Sequence, residues 1–112
     1  MASAVILISG RGSNMRSIVQ ARPGLDVRAV ISNRPDAAGL EWARANGLRT
    51  DVVDHKAHAT REDFDRALAR RLDEEAPDYV LLAGFMRILT PGFIERFDRR
   101  MLNIHPSLLP SF

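Results

Sequence analysis

Along this chain, short unbroken apolar runs alternate with segments whose apolar residues recur every three or four positions. "AVILIS" (4–9) is continuous and rich in β-branched residues, the pattern of a strand buried on both faces. After Gly10-Arg11-Gly12-Ser13-Asn14, residues Met15, Ile18 and Val19 return at helical spacing, with Ser13 or Asn14 as N-cap and Arg22-Pro23-Gly24 as the stop. "VRAVIS" (27–32) predicts a second strand, and residues 37–46 a helix ended by Asn46-Gly47. A short third strand is expected around Val52-Val53. Thr60 and Asp63 form a capping-box variant for a helix whose face carries Phe64, Ala67, Leu68, Arg71 and Leu72, ending before Pro77. "YVLLAGF" (79–85) is the strongest strand signal, Thr90-Pro91 opens a short helix, and "MLNIH" (101–105) predicts a fifth strand.

Strands alternating with helices at these spacings imply an α/β fold of the doubly wound, Rossmann-like type, with a mostly parallel sheet covered on both faces. In such sheets ligands bind beyond the carboxyl ends of the strands. That rule selects three places: Gly10 to Asn14, Gly84 to Leu89, and Asn103 to Pro110. They are expected to converge on one crevice.

Composition narrows the function classes. A chain of 112 residues, 46% apolar and 27% charged, fits a single globular domain spanning 1–112. The pI of 9.9 suggests a nucleic-acid binder, but the net charge is only +2. The high pI arises because fifteen of the sixteen basic residues are Arg, which does not titrate. These residues are interleaved with acids, and no stripe pairs them with stacking aromatics, so nucleic acid is not an expected partner. No run reaches the length of a membrane span, and the apolar start has no basic leader, so a cytoplasmic location is expected. The absence of cysteine excludes disulfides and thiolate metal sites. His55 and His58, with Asp51 and Asp54 nearby, lie in what reads as a solvated loop rather than a metal centre.

Each of the three strand ends has chemistry of its own. In Gly10-Arg11-Gly12-Ser13-Asn14, two glycines allow a sharp turn and close approach of a ligand, and the following amides start a helix, which favours an anion. The run lacks the third glycine of a dinucleotide fingerprint and the Lys of a Walker loop, so a single phosphate or a plain turn are the readings left. Gly84-Phe85-Met86-Arg87-Ile88-Leu89 could line an apolar slot with polar backbone edges, suited to a flat heterocycle, or could be core with a surface Arg. In Asn103-Ile104-His105, strand alternation puts Asn103 and His105 on one face. Asn can donate to a developing oxyanion and His can shuttle a proton, which together suggest acyl transfer without a Ser or Cys nucleophile. A structural histidine is the alternative.

"LISGRGSNM", "LAGFMRIL" and "LNIHPSLLP", in this order and spacing, resemble the phosphoribosylglycinamide formyltransferase family through all 112 residues. The resemblance implies formyl transfer from 10-formyltetrahydrofolate, a cosubstrate, to glycinamide ribonucleotide in purine biosynthesis, with no metal. It implies that Gly12, Ser13 and Asn14 hold the ribonucleotide phosphate. Met86, Arg87, Ile88 and Leu89 would bind the pterin, and Arg61 would contact the folate. Asn103 would bind the formyl oxygen, and His105 would transfer the proton. In the family the chain continues beyond "SLLP" for a comparable length and supplies a catalytic Asp there. The chain is therefore expected to be the N-terminal formyltransferase domain without its C-terminal half, and inactive alone. The apolar stretch Leu108 to Phe112 agrees with a missing continuation. Two further readings stay open: a phosphoribosyl-binding module without chemistry, and formyltetrahydrofolate deformylase, against which the phosphate loop counts. A homodimer is also left open.

Overall fold

The computed structural model describes residues 2–104. The expected alternation is present: β1 (Ser3–Ile8), α1 (Ser13–Ala21), β2 (Asp26–Ser32), α2 (Ala38–Ala45), β3 (Thr50–Val52), a 3-10 turn (His55–Ala57), α3 (Arg61–Glu75), β4 (Tyr79–Leu82), α4 (Pro91–Arg96) and β5 (Met101–Asn103). The five strands form one sheet in the order β3-β2-β1-β4-β5, and every pairing is parallel. The chain moves outward from β1 through β2 to β3, then crosses back to place β4 on the other side. The topological switch point therefore lies between β1 and β4.

Alternation along β1 builds two cores. Val5 and Leu7 face α3 and α4, packing with Phe64, Leu68, Leu72, Phe93 and Phe97. Ala4, Ile6 and Ile8 face α1 and α2, packing with Met15, Ile18, Leu40 and Ala43. All six residues of β1 are buried, as the unbroken apolar run requires. The far end of the sheet is tied by Asp78, whose carboxylate accepts from the Ser3 amide at 2.9 Å and from the Ser3 hydroxyl at 3.2 Å. Those bonds hold the Asp78 carboxyl below its ordinary range. Beside α3, burial works against the charge on Arg71. Asp51 at 2.5 Å and Glu75 at 2.7 Å outweigh it, so its proton is held more firmly than usual.

Three boundaries differ from expectation. β4 ends at Leu82 rather than 85, because its partner β1 stops at Ile8 and Gly84 turns the chain at φ +73°. β3 is centred on Asp51 rather than on Val52-Val53. At α1 the N-cap is Gly12, in the left-handed region at φ +74°, and Ser13 and Asn14 are already helical. β5 is assigned over Met101–Asn103, and His105 lies outside the described residues.

Candidate functional site

The carboxyl ends of β1 and β4 enclose a cleft of about 280 Å³, lined by Ser9 to Asn14 on one side, Ala83, Gly84 and Met86 on the other, and Arg34 from the end of β2. This is the crevice anticipated at the switch point. Two of the three selected strand ends meet in it directly. The third reaches its edge, since the Asn14 side-chain amide lies 3.4 Å from the Ile104 carbonyl, just past β5.

The Gly12 turn explains why this wall can take a ligand. With Gly12 at φ +74°, the chain passes from β1 into α1 in a tight corner. A Cβ at Gly12 would come within 2.5 Å of the Met15 terminal methyl and 3.2 Å of the Gly39 Cα. Gly39 is equally constrained, because a Cβ there would stand 2.7 Å from Ile8 Cδ1 and 3.1 Å from the Arg11 carbonyl. The two glycines let α2 pack directly on the loop, where Gly39 N–H donates to the Gly10 carbonyl at 3.0 Å. No side chain caps α1. In α3 and α4, by contrast, Thr60 and Thr90 accept from the third residue's amide. The first-turn amides of α1 thus face the cleft end of the helix without a side-chain acceptor, an arrangement that favours an anion.

The opposite wall is the segment following β4. Met86 and Ile88 are 81% and 73% exposed, so two of the proposed slot residues present free apolar surface. Leu89 is buried in the core with Phe93 and Phe97 rather than lining a slot. Arg87 is half-buried, its guanidinium 5.1 Å from the Phe64 ring centre, and its Nε is buried without a hydrogen-bond partner. It is neither a plain surface charge nor a member of the cleft lining. Asn103 is exposed on β5. Arg61 is exposed at the start of α3 and is not among the residues lining this cleft.

Four residues that pattern reading passed over shape this region. Ser9 and Asn33 are 4% and 3% exposed, and the Ser9 hydroxyl donates to Asn33 Oδ1 at 2.6 Å. Asp65, 4% exposed, accepts from the Thr90 amide at 2.6 Å. Arg34 stands at the cleft rim, paired with Asp36 at 3.1 Å. Ser9 read as the last residue of an apolar run and Asp65 as a helix polar position, and nothing local marked either as buried. His55 is also engaged: its Nδ1 lies 2.9 Å from the Asn33 carbonyl and 3.3 Å from the Asn33 side-chain nitrogen. Its partner His58 sits edge-on to Phe64, and among the described residues no group of three or more His, Asp or Glu is arranged to hold a metal.

A profile for "Formyl transferase" matches residues 2–112. Phosphoribosylglycinamide formyltransferase of Escherichia coli (strain K12) is 50% identical over 112 residues, covering 96% of this chain and 53% of that protein. The human trifunctional purine biosynthetic protein adenosine-3 is 44% identical over 115 residues, which cover 99% of this chain and 11% of the larger protein. Among solved structures, phosphoribosylglycinamide formyltransferase from Coxiella burnetii superposes with a TM-score of 0.89 at 41% identity, covering 99% of this chain and 54% of that one. Glycinamide ribonucleotide transformylase 1 from Symbiobacterium toebii gives 0.87 at 45% identity, covering 100% and 55%. The chain thus spans about half the length of its bacterial relatives. By sequence and by fold, it belongs to the formyl transferase family.

Proposed function

We propose that this chain is the substrate-binding N-terminal part of a phosphoribosylglycinamide formyltransferase. The observation that carries the reading is the cleft between β1 and β4. There an uncapped helix start behind two glycines faces an exposed apolar loop, with the end of β5 at its edge. An anionic group and a flat heterocycle have complementary walls there. Relatives named for this transfer support glycinamide ribonucleotide as the acceptor, and the motif resemblance implies 10-formyltetrahydrofolate as the donor.

In this reading the amides around Gly12, Ser13 and Asn14 hold the ribonucleotide phosphate. The 84–89 segment holds the pterin of 10-formyltetrahydrofolate, with Arg61 as an outlying folate contact. The amine of glycinamide ribonucleotide attacks the formyl carbon. A new C–N bond forms, and negative charge develops on the formyl oxygen, where Asn103 donates. As the tetrahedral intermediate collapses, the bond to the folate N10 breaks, and His105 carries the amine's proton to the departing nitrogen. A carboxylate beside the His, which the resemblance attributes to the family's second half, would stabilise the imidazolium.

Formyl transfer from 10-formyltetrahydrofolate to glycinamide ribonucleotide, assayed with the purified chain and with a full-length form, tests the proposal. Transfer by the full-length form and none by the 112 residues is the expected result. Transfer by the short chain that His105→Ala abolishes would show that no second-half carboxylate is needed. Folate cleavage to formate without ribonucleotide would move the protein to the deformylase class.

A further inference from the structure

The segment 83–90 forms one wall of the cleft but belongs to no helix or strand. Beyond the Ala83 amide, which donates to the Leu7 carbonyl at 2.9 Å, no ladder holds its backbone, so its polar groups need other partners. Two buried side chains supply them, one toward each end. The Met86 amide donates to Ser9 Oγ at 2.7 Å, and the Ser9 hydroxyl passes its own proton to Asn33 Oδ1 at 2.6 Å. Four residues later the Thr90 amide donates to Asp65 Oδ2 at 2.6 Å.

These groups sit where stability alone would favour apolar residues. Ser9, Asn33 and Asp65 are each at most 4% exposed, and burying polar groups is unfavourable unless they are bonded. Asp65 is only half satisfied, since its Oδ1 is buried with no hydrogen-bond partner. Asn33 is itself fixed from outside the segment, its carbonyl accepting from the His55 amide at 3.2 Å with His55 Nδ1 2.9 Å away. A continuous line of donors thus runs from the loop after β4, across the end of β1, to the end of β2. Ser9 and Met86, the first two members of that line, also line the cleft.

We propose that Ser9, Asn33 and Asp65 are positioning residues for the formyl-donor cosubstrate. They fix the 86–90 backbone in its ligand-reading conformation before the heterocycle arrives. This rests on the assignment of that segment to the pterin made above. The Ser9→Ala change would remove the partner of both the half-buried Met86 amide and the buried Asn33 Oδ1. The loss of such a bond corresponds to roughly a tenfold to hundredfold change in the equilibrium it supports. Asp65→Ala would free the Thr90 end in the same way, whereas Asp65→Asn keeps an oxygen for that amide.

The test compares the wild type with Ser9→Ala, Ser9→Thr, Asp65→Ala and Asp65→Asn in the full-length protein, by amide hydrogen exchange and steady-state kinetics. The expected result for Ser9→Ala is exchange at Met86 about tenfold faster, with Val5 and Leu7 unchanged. KM for 10-formyltetrahydrofolate should rise about tenfold, with kcat and the ribonucleotide KM within about threefold of wild type. Ser9→Thr and Asp65→Asn should recover most of the loss seen in the corresponding alanine variants. Unchanged Met86 exchange, an equal rise in both KM values, or faster exchange throughout β1 would each overturn the proposal. Should the wild type transfer no formyl group, the cosubstrate assignment falls with the function proposed above, while exchange at Met86 and Thr90 still decides whether the anchors hold the loop.

Discussion

Replacing Gly12 by Ala separates the geometry of the loop after β1 from its composition. The residue sits at φ +74°, where a Cβ costs about 1–2 kcal/mol against the following carbonyl. The new methyl would also stand 2.5 Å from the Met15 terminal methyl and 3.2 Å from the Gly39 Cα. Met15 ends in a flexible thioether and can rotate aside, whereas Gly39 is backbone in α2 and must retreat by a few tenths of an ångström. That overpacking adds about 1 kcal/mol. Stiffening of the unfolded chain returns about 0.5 kcal/mol. The net destabilisation is about 2 kcal/mol, a fall in melting temperature of roughly 8–16 °C for a domain of this size. Gly10→Ala is the control, because nothing lies within 4 Å of its Cβ position and its φ is not positive. It should stay within about 0.5 kcal/mol of wild type. Urea unfolding of both variants measures the difference. Equal stabilities for Gly12→Ala and Gly10→Ala would refute the constrained-corner reasoning.

Phe64, 1% exposed on α3 and packed in the core with Val5 and Leu7 beneath the Arg87 guanidinium, should cost the protein about 3–5 kcal/mol on change to Ala in urea unfolding. The Asp78 carboxyl is held low by Ser3, so its contribution is present above about pH 4 and is lost as pH falls through the depressed value. Asp78→Asn should therefore differ most from wild type near neutrality and converge with it in acid, as followed by unfolding at pH 7 and pH 3. Arg34→Ala, at the cleft rim, should weaken ribonucleotide binding by no more than about fivefold, an effect that salt diminishes. In the full-length protein, Asn103→Ala and His105→Ala should each lower kcat by about a hundredfold or more with little change in substrate affinity, measured by steady-state kinetics.

The elements of the fold were legible because each strand and helix carries its own periodicity. The unbroken apolar run at 4–9 could only be a central strand, and β1 is indeed buried along its length between β2 and β4. The Thr60 and Thr90 caps were visible as single residues beside helical periods, and both accept the expected amide. Boundaries that depend on a neighbour were not. Gly84 inside "YVLLAGF" turns the chain, but the pairing that ends at Leu7 and Leu82 is set by a strand some seventy residues earlier. The cap of α1 was misread for a related reason: Ser13 and Asn14 have capping chemistry, but close packing of Gly39 on the loop draws Gly12 into the left-handed corner instead. Long-range polar pairs were the least visible. Ser9 and Asn33 are 24 positions apart, and Ser9 and Met86 are 77 apart, so their bonds exist only through the crossover topology.

In the proposed function the Gly12 corner and the loop after β4 are the two walls of one substrate cleft. The most direct measurement is a titration of the ¹⁵N-labelled chain with glycinamide ribonucleotide, followed by amide chemical shifts. Large, saturable shifts are expected at Gly12, Ser13, Asn14 and Arg16, smaller ones at Gly84 and Met86, and none at the Asp78 end of the sheet. Shifts confined to other surfaces, or no change in the Gly12 to Arg16 amides at saturating ligand, would contradict that placement.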